Sequence, residues 1–80
     1  MDIITVYTKP GCVQCEATFR VLNKLGADYR SVDISADPVA RDYVMSLGYV
    51  SVPVVVTPTG SWSGFRPDRI GLAAQPAATA

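Results

Sequence analysis

Cys12 and Cys15 are the only thiols in the chain, three positions apart in the stretch GCVQC, and the chain contains no histidine. Three chemistries use such a pair. Buried cysteines pack as small hydrophobes, thiolates bind metal ions, and a thiolate exchanges with disulfides through a mixed-disulfide intermediate. Structural zinc takes four cysteine or histidine ligands. Two cysteines without histidine therefore meet that requirement only if two chains share a zinc or iron-sulfur centre through four thiolates.

The exchange reading depends on where the cysteines sit. A helix starting near Val13 places Cys12 at its N-terminal edge, where unpaired backbone N–H groups and the helix dipole favour negative charge. The thiolate is the nucleophile and a free cysteine titrates near ~8.5, so stabilising the thiolate there raises the reactive fraction at neutral pH. The Lys9 ammonium is a candidate to add to this effect, against the default of a solvated lysine. Cys15 lies one helical turn further on and on nearly the same face. In this scheme Cys12 attacks a partner's disulfide, Cys15 displaces the reduced partner, and a Cys12–Cys15 disulfide remains.

The elements that must hold this geometry follow from local pattern. Residues 3–8, IITVYT, are β-branched and aromatic and read as a buried strand. Phe19, Leu22 and Leu25 recur at helical spacing, and Gly26 is a suitable stop for a helix over 13–25. Residues 29–34 form a second strand. Ser35 or Asp37 then caps a helix with Pro38 in its first turn. Its stripe is Ala40, Tyr43, Val44 and Leu47, and Gly48 ends it. Residues 54–57 and 61–63 make a hairpin about the PTG turn. Pro67 opens a last helix to about Leu72, with Asp68 suited to its N-terminus.

The order is β-α-β-α-β-β-α: an α/β fold whose first two strands run parallel through a right-handed crossover and whose last two are antiparallel. A four-stranded mixed sheet flanked by three helices is expected. Eighty residues suffice for one domain. Hydrophobic residues are 49% and charged residues 18% of the chain, within the globular range rather than the disordered one.

Seven basic and seven acidic residues cancel, so neither nucleic acid nor an anionic membrane is an expected partner. The apolar runs are far shorter than the ~20 residues of a membrane span. The opening MDIITVY has no basic segment or cleavage site of a leader. A cytoplasmic protein is expected, and there a purely structural disulfide would be unusual.

The stretches YTKPGCVQC at 7–15, VP at 52–53 and WSGFRPD at 62–68 resemble a glutaredoxin-like redoxin of the NrdH type. The resemblance covers nearly the whole chain. It implies a thioredoxin-fold domain over 1–73, with 74–80 a frayed tail. It also implies a dithiol-disulfide oxidoreductase that donates electrons to the large subunit of class Ib ribonucleotide reductase. The chain would be a monomer without bound cofactor, recharged from NADPH by thioredoxin reductase.

By position, the resemblance makes Cys12 the nucleophile, Cys15 the resolving thiol and Pro53 a cis-proline facing them. Read from the residues alone, Pro53 is a trans proline at a strand edge, since only ~5–6% of X-Pro bonds are cis. A cis Pro53 would expose the Val52 backbone beside Cys12 for pairing with an extended peptide. The segment of Trp62, Ser63, Gly64, Phe65, Arg66 and Asp68 departs from the polar, glycine-rich helix start of a glutathione-using glutaredoxin, the alternative reading. That loop is expected to narrow the glutathione groove and offer an apolar surface to protein partners. Trp62 suits the hairpin core and the site edge equally, and Arg66 with Asp68 suits a loop clamp.

Overall fold

The computed structural model describes residues 4–74. β1 (Ile4–Thr8), β2 (Tyr29–Asp33), β3 (Val54–Thr57) and β4 (Gly60–Ser63) alternate with α1 (Val13–Lys24), α2 (Pro38–Ser46) and α3 (Pro67–Ala73) in the expected order. The sheet order is β2-β1-β3-β4. β1 pairs parallel with β2 and antiparallel with β3, and β3 pairs antiparallel with β4. This is the mixed four-stranded sheet with three helices, and β1 and β3 lie at its centre.

Alternation along β1 divides the molecule into layers. Ile4 and Val6 point into a core with Leu22 of α1, Val55 of β3, Trp62 of β4 and Ile70 of α3. On the other face Tyr7 meets Tyr43 of α2, with ring centroids 5.8 Å apart. Burial and Tyr43 push the Tyr7 phenol above its ordinary range. Each fully buried aliphatic side chain contributes roughly 1.5–3 kcal/mol by leaving water. Among the described residues no helix is long and apolar enough to cross a membrane.

The helix boundaries correct the sequence reading in detail. α1 ends at Lys24, and Leu25 is its C-cap and half exposed. The buried face of α1 is Cys15, Thr18 and Leu22. Thr18 is fully buried because its hydroxyl donates to the Gln14 carbonyl at 2.9 Å, which satisfies the polar group. Of the two proposed caps for α2, Asp37 is the one used: its carboxylate accepts from the Ala40 N–H at 3.1 Å. Ala40 and Val44 are buried as expected, whereas Tyr43 and Leu47 remain over a third exposed.

Gly48 terminates α2 in a left-handed conformation, φ 91°. The Gly48 and Tyr49 N–H groups reach back to Met45 and Val44 carbonyls, the Schellman arrangement. This turns the chain sharply toward residues 49–53 and the site. The expected frayed tail lies, beyond Ala74, outside the described residues.

Candidate functional site

The site is assembled from three segments: 12–15, 51–53 and 63–65. β1 delivers the first by ending at Thr8, after which Lys9, Pro10 and Gly11 turn the chain into α1. Cys12 is the N-cap of α1, in an extended conformation with φ −93° and ψ 105°. Its sulfur takes the place of the usual hydroxyl or carboxylate oxygen and accepts from the Cys15 N–H at 3.1 Å. The Cys12 carbonyl accepts from Glu16 N–H at 3.1 Å, beginning the helical ladder.

Cys12 and Cys15 form a disulfide, with Cα atoms 5.2 Å apart, inside the range that a bridge needs. The two sulfurs are not equivalent toward solvent. Cys12 is partly exposed, and Cys15 is 1% exposed. In the dithiol state the same N–H and the helix N-terminus favour charge on the Cys12 sulfur. The accessible sulfur is thus the one whose environment suits a nucleophile.

The second segment enters through the Val52–Pro53 peptide bond, which is cis, as the resemblance implied and against the expectation from residue type. Pro53 is fully buried, and the Val52 carbonyl oxygen lies 3.8 Å from Cys12 Sγ. Three side-chain contacts fasten residues 49–51, which lead into this segment, to β4. Tyr49 OH lies 2.8 Å from Ser61 Oγ, Ser63 Oγ donates to the Ser51 carbonyl at 3.0 Å, and the Ser51 and Ser63 hydroxyls are 3.4 Å apart.

The third segment closes the arrangement. Gly64 N–H donates to the Pro53 carbonyl at 2.8 Å, and Phe65 N–H donates to Gln14 Oε1 at 3.2 Å. Gly64 has φ 89°, a conformation that a residue with a side chain rarely adopts. Gln14, one of the two residues between the cysteines, therefore binds the loop directly. Gln14 was not singled out from sequence, because its partner is 51 positions away and neither residue type announces the contact.

The remaining candidates divide. Trp62 is 6% exposed and belongs to the hydrophobic core, so the structure gives it to the core rather than to the site edge. Phe65 is partly buried against that core. The loop thus offers less apolar surface than its composition suggests. Lys9 is exposed and lines a groove with Val52 and α2. Arg66 forms the clamp expected of it, with Nε and a terminal nitrogen donating to the two Asp68 carboxylate oxygens at 3.4 and 3.3 Å.

That guanidinium holds the Asp68 carboxyl below the usual aspartate range, and the Ser35 hydroxyl and N–H do the same for Asp33 at the end of β2. A depressed folded-state pKa adds stability above the unfolded value, near ~3.9, and that contribution disappears as pH falls through the folded value. Carboxyl titration by NMR should place both groups below an ordinary aspartate. In Arg66→Gln, Asp68 should return toward the ordinary range while Asp33 stays low. An unmoved Asp68 would remove the clamp as the cause.

Residues 4–59 match the family model for glutaredoxin. The glutaredoxin-like protein NrdH of Escherichia coli K12 is 42% identical over 67 residues, covering 84% of this chain and 83% of that protein. The gene 56 protein of Mycobacterium phage L5 is 45% identical over 69 residues, covering 84% of this chain and 67% of that protein. The solved structure of the E. coli glutaredoxin-like protein NrdH-redoxin, whose activity profile is described as thioredoxin-like, superposes with a TM-score of 0.89. It is 40% identical and covers 94% of this chain and 97% of that one. With the Cys12–Cys15 disulfide at the head of α1 and these relatives, this chain belongs to the glutaredoxin family of the thioredoxin superfamily, as an NrdH-like redoxin and thiol-disulfide oxidoreductase.

Proposed function

We propose that this redoxin reduces protein disulfides with electrons taken from NADPH through thioredoxin reductase, and that its client is the large subunit of a class Ib ribonucleotide reductase. It does so as a cytoplasmic monomer without a bound cofactor. The observation that carries this reading is the anchoring of residues 63–65 to both Pro53 and Gln14, which fixes that loop against the turn holding the two cysteines. A loop tied at both ends narrows the space open to glutathione while leaving the Val52 edge for a polypeptide. The thioredoxin-like activity profile of the similar E. coli redoxin points the same way.

The electron balance follows from the two sulfurs. The Cys12 thiolate attacks one sulfur of the client disulfide, forming the Cys12–client bond and releasing one client thiolate, which takes a proton from solvent. Cys15, deprotonated, then attacks Cys12 Sγ and releases the second client thiolate. Two electrons pass to the client and a Cys12–Cys15 disulfide is left. Burial keeps Cys15 from attacking clients directly, so its thiolate acts only on the mixed disulfide one helical turn away. A dithiol of thioredoxin reductase reverses the sequence.

The test runs both reductants side by side against the same protein disulfide. NADPH with thioredoxin reductase should sustain rapid turnover, and glutathione with its reductase should be slow. With ribonucleotide reductase as acceptor, the class Ib large subunit should be reduced faster than the class Ia subunit. Rapid turnover with glutathione alone would replace this reading with that of a glutathione-coupled glutaredoxin.

A further inference from the structure

A groove runs between α2 and residues 49–52, with Val52, the neighbour of Cys12, in its lining. Its floor is apolar, with Val44 beneath and Met45, Val50 and Val52 around it, and its charged lining residues are Lys9 and Arg41. Val50 is 96% exposed and Met45 56%. The same two cations line the continuation of the groove toward Pro38 and Ser35. Among the described residues no aspartate or glutamate lines either stretch. Among the described residues the one ion pair is Arg66–Asp68, so Lys9 and Arg41 have no carboxylate partner there.

This cationic, apolar surface adjoins the reacting sulfur through Val52. Val52 belongs to the lining, and its carbonyl oxygen is 3.8 Å from Cys12 Sγ. The Val52 N–H donates to no acceptor among the described residues. An extended peptide can add to such an edge by backbone pairing. A peptide so placed runs its side chains past the uncovered valine and methionine and between two positive charges that no carboxylate among the described residues pairs with. Charge complementarity then selects its composition.

We propose that this groove seats the segment flanking the reactive cysteine of a client protein, and that the segment is acidic, with carboxylates engaging Lys9 and Arg41 while an apolar side chain covers Val50 and Met45. The inference rests on the reading of the chain as a reductase of protein disulfides. Exposed charges at the rim of an interface act mainly on association rate and on its salt dependence. Rate is therefore the quantity to measure.

The pre-reduced chain is mixed, without any reductase, with synthetic peptide disulfides that differ only in having Glu, Gln or Lys on both sides of the cysteine. Released peptide thiol is quantified after acid quench. At low ionic strength the Glu peptide should be reduced about tenfold faster than the Gln peptide, and the gap should collapse in about 1 M salt, where the screening length is ~3 Å. The Glu-to-Gln ratio cancels any effect of a substitution on the intrinsic reactivity of Cys12. It should shrink in Arg41→Gln and vanish when Lys9→Gln is added. In Arg41→Glu the preference should invert toward the Lys peptide. Equal rates for the Glu and Gln peptides, or a ratio unchanged in Arg41→Glu, would overturn the acidic segment and leave disulfide reduction standing. Failure to reduce any peptide would overturn both.

Discussion

Replacing Cys12 with serine should stop disulfide reduction without harming the fold, and replacing Cys15 with serine should stop it one step later. Turnover with NADPH and thioredoxin reductase is expected to fall by at least about a thousandfold in Cys12→Ser. The N-cap role of Cys12 makes the control unusually clean. Serine is a better cap than cysteine, and its oxygen can accept from the same Cys15 N–H that the sulfur holds at 3.1 Å. Thermal unfolding of the variant should match that of the native dithiol form. Loss of activity then reports the nucleophile rather than the helix.

Cys15→Ser retains the accessible sulfur and loses the buried one. It should accumulate one equivalent of mixed disulfide with the client, visible as an added mass that a small dithiol removes. Native turnover in Cys12→Ser would sink the mechanism. A mixed disulfide trapped on Cys12→Ser rather than Cys15→Ser would exchange the two roles.

The elements were legible because punctuation and periodicity agree along this chain. Pro38 and Pro67 open helices, Gly26 and Gly48 close them, and the β-branched run of β1 needs no partner to be recognised. The cysteine pair was legible for the same local reason, since a strand, a turn and a helix start fall within a dozen residues. What escaped is non-local. The Gln14–Phe65 bond and the seating of Gly64 on the Pro53 carbonyl join positions far apart in sequence. No periodicity encodes them. The cis Val52–Pro53 bond was reached only through family resemblance, because a lone proline at a strand edge carries no mark of its isomer. The loop beside the cysteines was therefore recognisable as a string, while its attachment to them was not.

Trp62 tests that boundary, since composition suited it equally to the core and to the partner surface. Its ring packs with Ile4, Val6, Leu22, Val55 and Ile70, and the Arg69 guanidinium carbon lies 5.3 Å from the ring centroid. Truncation to alanine should cost about 3–5 kcal/mol. An 80-residue domain has on the order of 4–12 kcal/mol in total. Trp62→Ala is thus expected to be partly or wholly unfolded at 37 °C, and urea denaturation followed by circular dichroism measures it. Phenylalanine separates packing from polarity. The indole Nε1 is buried without a hydrogen-bond partner, an arrangement that costs roughly 1–3 kcal/mol, so its removal offsets part of the lost volume. Trp62→Phe should remain folded, with stability near that of the native chain and an unchanged KM for thioredoxin reductase. A raised KM at undiminished stability would instead put the indole at the partner surface. In Trp62→Ala the core role predicts that stability and activity fall together, because β4 carries both the tryptophan and the serines that fasten the Pro53 segment beside Cys12.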